Sequence, residues 1–213
     1  MEHPIAPEQA MTYAIGDIHG EVTLLRRLLA ILPFREEDTL VFLGDCLDRG
    51  EDSIATIRTL RELKRKHPLC IFLCGNHEDA WLGCWDGASF SHAPDIDGAY
   101  EIWEQCDGHV PFEVGDWLEE TRIDYEDDHA YYVHASVLPD KPFWKTADFY
   151  KMWGIWGFLE SDCDWGKPVV FGHWNLAEPL IQPNKICIDT GAFRRGILTA
   201  VRMPDRQIFQ VRR

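Results

Sequence analysis

Thr12-Tyr13-Ala14-Ile15-Gly16-Asp17-Ile18-His19-Gly20 is a short run suited to a buried strand, broken by a glycine and followed by an Asp-x-His pair. The arrangement returns twice. Thr39–Leu43 runs into Gly44-Asp45-Cys46-Leu47-Asp48-Arg49-Gly50, and Cys70–Leu73 leads to Gly75-Asn76-His77-Glu78. Between these runs, Glu21–Leu32 sets Leu24, Leu25, Leu28, Leu29 and Leu32 on one helical face ahead of Pro33. Ser53 is placed to cap a second helix through Lys66, with Ile54, Ile57, Leu60 and Leu63 on one side. Such strand–loop–helix repetition predicts a largely parallel sheet covered by helices.

The remainder reads differently. Tyr131–His134, Val169–Phe171, Ile186–Ile188, Ile197–Val201 and Ile208–Val211 predict short strands, and Met203-Pro204-Asp205-Arg206 the turn of a terminal hairpin. Between His67 and Thr121 stand twelve carboxylates and no Lys or Arg, together with Trp81, Trp85, Trp103 and Trp117. Residues 80–120 therefore read as a helical and loop insertion packed by aromatics, with an acidic outer face. No internal repeat or low-complexity linker interrupts the chain, so residues 1–213 read as one continuous domain.

A chain of 213 residues buries enough surface to fold without disulfides or a structural metal. Its 46% hydrophobic and 27% charged residues exclude a disordered or fibrous class. The formal charge of −15 argues against nucleic acid or an anionic membrane as partner, since no basic surface is available to release counterions. No apolar run approaches the ~20 residues of a membrane span. The stretch Met1–Ala10 has neither the basic start nor the apolar core of a secretory signal. The seven cysteines contain no Cys-x-x-Cys pair, so free thiols in a reducing cytoplasm are expected.

Chemistry concentrates at the strand ends. Loops after the C-terminal ends of adjacent strands converge on one crevice in an open sheet. His134, His173 and Asp189 follow the later strands as Asp17, Asp45 and Asn76 follow the first three. Carboxylate, amide and imidazole groups together suit Mn, Fe or Zn better than calcium. His3, His67, His92, His109 and His129 carry no such context and read as ordinary surface or core groups.

Gly-Asp-Ile-His-Gly, Gly-Asp-x-x-Asp-Arg-Gly and Gly-Asn-His-Glu at these separations resemble the calcineurin-like metallophosphoesterases. More narrowly they are similar to the phosphoprotein phosphatase branch with its bacterial and bacteriophage members. Val133-His134-Ala135, Phe171-Gly172-His173 and Ile188-Asp189-Thr190-Gly191-Ala192 extend the likeness, which spans residues 12 to about 201. The resemblance implies an α/β fold, a four-layer sandwich of two mixed β-sheets flanked by helices. It implies two divalent metal ions, Mn first, with Fe, Zn or Mg as alternatives. Asp17 and His19 would hold the first, Asp45 would bridge, and Asn76, His134 and His173 would complete the second site. His77 would be the general acid, oriented by Asp48, while Arg49 and Asn76 bind the substrate phosphate; Glu78 takes a structural role.

The activity so implied is hydrolysis of phosphomonoesters, as in serine/threonine protein phosphatases, by direct attack of a metal-bridging hydroxide. The partner is then a phosphorylated protein or small phosphomonoester. Symmetrical cleavage of a dinucleoside tetraphosphate is one alternative, and a metal-binding regulatory module with weak turnover another. The chain departs from the family pattern at Cys74, where arginine is common, and at Met152-Trp153-Gly154-Ile155-Trp156, which lacks a following arginine. Arg194 or Arg195 is the candidate replacement.

Overall fold

Residues 10–213 are described by a computed structural model; residues 1–9, with His3 and nearly all of the stretch judged for a secretory signal, lie outside the described residues. The first sheet contains β1 (Thr12–Ile15), β2 (Thr39–Phe42), β3 (Cys70–Phe72), β9 (Ile197–Met203) and β10 (Gln207–Arg212), in the order β10-β9-β1-β2-β3. The second contains β4 (Asp124–Glu126), β5 (Tyr131–Val133), β6 (Val169–Phe171), β7 (Leu180–Ile181) and β8 (Lys185–Cys187), in the order β4-β5-β6-β8-β7. In each, three adjacent strands are parallel: β1, β2 and β3 in one, β5, β6 and β8 in the other. The largely parallel sheet expected from residues 12–77 is thus a mixed one, because the terminal hairpin returns and β9 pairs antiparallel with β1.

Side-chain alternation along the strands sorts the core into layers. Tyr13, Ile15, Leu40 and Phe42 face outward onto α1 (Val22–Ile31) and α2 (Ser53–Lys66), against Leu24, Leu25, Leu28, Ile57 and Leu60. Their neighbours Ala14, Val41 and Leu43 point the other way, onto Tyr132, Val170 and Ile186 of the second sheet. Tyr131, Val133, Val169 and Phe171 cover the far face with Phe143, Phe158 and Trp165. Two sheets packed face to face under outer helices and loops form the four-layer α/β sandwich implied by the resemblance.

Within the acidic segment lie α3 (Asn76–Leu82), α4 (Ala99–Gln105) and α5 (Phe112–Glu119). Trp81 and Trp117 are fully buried against the first sheet's outer layer, with Trp85 and Trp103 half-buried beside them. Its acidity is partly neutralised by its neighbours: Arg58 pairs with Glu113, Arg61 with Asp116, and Arg49 with Asp97. The cap of α2 differs from expectation. Asp52, not Ser53, accepts the Ala55 amide, and the Ser53 hydroxyl instead accepts the amide of Asp48.

Asp38 ties the start of β1 to the turn before β2. Its buried carboxylate accepts the Met11 and Arg35 amides and bonds the Arg35 guanidinium. Burial opposes the charge, but the Arg35 and Met11 bonds outweigh it and hold the carboxyl below its ordinary value. A depressed folded-state pKa contributes stability above the unfolded value and loses it as pH falls through the folded one. Asp38→Asn is expected to cost about 1–3 kcal/mol at pH 7. In urea titrations the gap between variant and parent should close below about pH 4.

Candidate active site

The loops after β1, β2 and β6 bend sharply. His19, Asp45, Asp48, Arg49 and His173 have positive φ, from +48° to +70°. L-residues rarely adopt that region, and its concentration at one rim is a sign of a constrained, functional backbone. Glycines supply the remaining closeness. A Cβ at Gly75 would lie 2.3 Å from Asp45 Oδ1, and one at Gly172 would lie 2.0 Å from Asp17 Oδ1.

Asp45 stands at the centre. Its Oδ1 faces His134 Nε2 at 3.4 Å, while its Oδ2 faces His19 Nε2 at 3.5 Å and His77 Nε2 at 3.9 Å. On the Oδ1 side, Asn76 Oδ1 lies 3.0 Å from both His134 Nε2 and His173 Nδ1. Two groups of potential ligands therefore share one carboxylate: Asp45 with His134 and His173, and Asp45 with His19 and His77. Asp17 sits behind them, its carboxylate accepting the His173 amide at 3.0 Å. The structure thus brings Asp17, His19, Asp45, Asn76, His77, His134 and His173 together, with His77 rather than Asp17 nearest to the His19 side.

The donor set suits a cation. Burial outweighs the opposing charge of Asp45 and, with His77 and Arg49, leaves His19 titrating at about 3, while burial with His134 lowers His173 to about 4. Both rings are therefore neutral and offer lone pairs. Asp17 is driven well above its ordinary range by burial, then by the Asp189 and Asp45 charges. Burial opposes the charge on Asp45, but His134 and His77 beside it outweigh that and hold its pKa low. Three buried carboxylates in mutual repulsion, faced by neutral imidazoles, are what divalent charge relieves.

His77 has a separate arrangement. Its Nδ1 lies 2.6 Å from Asp48 Oδ2, both side chains fully buried, and its Nε2 has no hydrogen-bond partner. Burial disfavours its cation, yet Asp45 and the bond to Asp48 outweigh that and raise the pKa. Trp81 Nε1 donates to Asp48 Oδ1 at 2.9 Å and fixes the carboxylate from the other side. Glu78 accepts the amides of Asp45, Cys46 and Gly75, binding the β2 loop to the start of α3.

Arg49 reaches across the rim: Nη1 lies 2.9 Å from His19 Nε2, and Nε donates to Asp97 at 3.0 Å. Sequence reasoning missed Asp97 and the Trp81 indole, since nothing local marks either as a partner. Cys74 is buried, and burial pushes its thiol well up, so it offers no charge in place of the family arginine. Arg195 bonds the backbone and side chain of Asn175, two residues beyond His173, while Arg194 is exposed. Arg195→Ala is accordingly expected to raise the Michaelis constant about tenfold, with Arg194→Ala unchanged. Steady-state kinetics with an unaltered constant in both variants would remove Arg195 from the substrate site.

A family model described as calcineurin-like phosphoesterase matches residues 11–175. A symmetrical bis(5'-nucleosyl)-tetraphosphatase of Janthinobacterium sp. (strain Marseille) is 27% identical over 94% of this chain and 96% of its own. That alignment runs over 274 positions, so the relative carries segments this 213-residue chain lacks. An asymmetrical bis(5'-nucleosyl)-tetraphosphatase of Anoxybacillus flavithermus (strain DSM 21510 / WK1) is 28% identical over 92% of each chain. A solved structure provisionally described as a diadenosine tetraphosphatase superposes with a TM-score of 0.73, covering 98% of this chain and 96% of that one, at 20% identity. That likeness is one of fold.

Proposed function

Because the chain belongs to the calcineurin-like phosphoesterase family, we propose that it is a dinuclear metal-dependent hydrolase whose substrate is a dinucleoside tetraphosphate. The observation that carries the reaction class is Asp45, one oxygen turned to each ligand group, with the unpartnered Nε2 of His77 beside it. The substrate reading is supported by the names of relatives aligned along nearly the full length of both chains.

Asp17, His19 and Asp45 would hold one ion and Asp45, Asn76, His134 and His173 the other, with manganese the expected metal. Bound divalent cations supply charge that polarises a phosphoryl group and acidifies water. The chain's own groups do the rest. Arg49 offers its planar fork to a phosphoryl oxygen, with Asp97 holding the Nε edge. Asp48 keeps the proton of His77 on Nδ1, which leaves Nε2 to deliver a second proton to the departing oxygen. The seven free cysteines support a reducing, cytoplasmic setting; among the described residues, no helix is long and apolar enough to cross a membrane.

Phosphomonoester hydrolysis is the second reading. It is favoured by the thin guanidinium supply, since Cys74 is a buried thiol where the family pattern has an arginine. Repulsion of a polyanion by the acidic insertion weighs less, because Asp97, Glu113 and Asp116 are paired with arginines.

Elemental analysis and a substrate panel with added manganese test the proposal. Diadenosine tetraphosphate should yield two molecules of ADP at a kcat/KM well above that for a phosphoserine peptide. Release of AMP and ATP would move the cut off centre. Turnover of the phosphopeptide alone would establish the monoester reading.

A further inference from the structure

The described residues hold several features outside the chemistry assigned above. One cavity of about 460 Å³ is lined by Asp140, Lys141, Trp144 and Cys163, and another of similar volume by Asp162, Lys167 and Asn184. Neither borders a residue of the ligand clusters. The segment of α6 (Asp148–Trp153) and the loop after it does, through Gly154 against His173, and it carries exposed aromatics.

We propose that Phe149, Trp153 and Trp156 form a stacking platform for a nucleobase of the substrate, on the His173 side of the site. The identity of the ring rests on the dinucleotide reading above. Phe149 and Trp153 lie nearly parallel, their planes 12° apart and centroids at 6.1 Å. Both are substantially exposed, and Trp156 is 95% exposed. The stacked pair, with Trp156 three residues farther along the chain, is exposed apolar ring surface of the kind that marks binding sites.

Two contacts anchor this group to the ligand cluster. Trp153 Nε1 donates to Asp79 Oδ2 at 2.7 Å, and Asp79 stands one helical turn beyond Asn76 on the same face of α3. Gly154, with φ +82°, lies against His173: a Cβ there would be in van der Waals contact, 3.4 Å from its Nε2. The segment thus touches the surroundings of Asn76 and His173, both on the Oδ1 side of Asp45. Arg49 and Asp97 lie on the opposite, His19 side. A substrate whose phosphates engage Arg49 and the ligand cluster would project its remaining group over α6. The nearby charges, Asp79 and Asp148, are acidic, with Lys151 already paired to Asp124 and Asp148. A further phosphate is therefore disfavoured there and a flat, neutral ring is favoured, bound through its face as bases stack on aromatic side chains.

The test compares ADP with pyrophosphate, which carries the same phosphates without a ring, by titration calorimetry on the manganese-loaded protein. The parent should bind ADP about tenfold more tightly than pyrophosphate. The double variant Phe149→Ala/Trp156→Ala should lose that advantage with pyrophosphate binding unchanged, and Trp153→Phe, which keeps a ring but not the bond to Asp79, should retain most of it. With diadenosine tetraphosphate, the double variant should raise KM about tenfold at constant kcat. Circular dichroism and metal content equal to the parent's guard against misfolding. Equal affinity for ADP and pyrophosphate in the parent, or parallel losses for both in the variant, would overturn the platform. Ring-dependent ADP binding in an enzyme that leaves diadenosine tetraphosphate intact would uphold the platform and overturn the substrate reading instead.

Discussion

Asp45→Asn should lose metal and activity together, with kcat/KM falling about 10³-fold or more. Each oxygen of Asp45 faces a different ligand group, so the substitution removes charge from both at once. An amide also turns a donor towards one of them. His134 and His173 on one side and His19 on the other would remain without the anion that offsets divalent charge. Elemental analysis of the purified variant checks the point: two ions per chain in the parent and close to none in the variant. An unchanged metal content with unchanged rate would end the bridging assignment. Folding itself should survive, since the loop is held by Glu78 through the backbone amides of Asp45, Cys46 and Gly75.

His77→Asn should separate turnover from metal binding. Loss of the proton donor slows catalysis by roughly 10²–10⁴-fold. His77 also lies within reach of the His19 group, so the same variant decides between donor and ligand. Full metal content with slow turnover assigns the donor role; loss of an ion assigns ligation. The leaving group gives a second readout. A p-nitrophenolate departs without protonation, so a donor's removal should harm the aryl phosphate far less than diadenosine tetraphosphate. Asp48→Asn should follow the same pattern more weakly, because Trp81 Nε1 would still fix the side chain while the charge opposite His77 Nδ1 is gone.

What could be read from the chain alone was whatever is local. Strands β1, β2 and β3 were legible because each is a brief apolar run stopped by glycine, and the side chains expected at the rim follow directly from those stops. The alternation of Tyr13, Ala14 and Ile15 between two cores needed the second sheet, whose strands are two or three residues long and lack a period of their own. Strand β7 has two residues and carries no pattern at all. The helix cap went to Asp52 because the Ser53 hydroxyl is engaged by Asp48, a choice made by the active-site loop rather than by the helix. Trp81 was assigned to the core, and it is buried there. Its indole nitrogen faces Asp48 only because α3 returns beneath the β2 loop. Asp97 reaches Arg49 across 48 residues of sequence, which no motif records.

The ligand side chains belong to different leaves of the sandwich. Asp17, Asp45 and Asn76 follow strands of one sheet, His134 and His173 strands of the other. Cations held there would act as a suture along the open rim of the seam, and resistance to heat would become a gauge of metal supply. A free concentration one hundred times the dissociation constant adds about 2.7 kcal/mol per site. Starved of metal, the protein should part first at that rim, with the apolar seam farther in coming undone last.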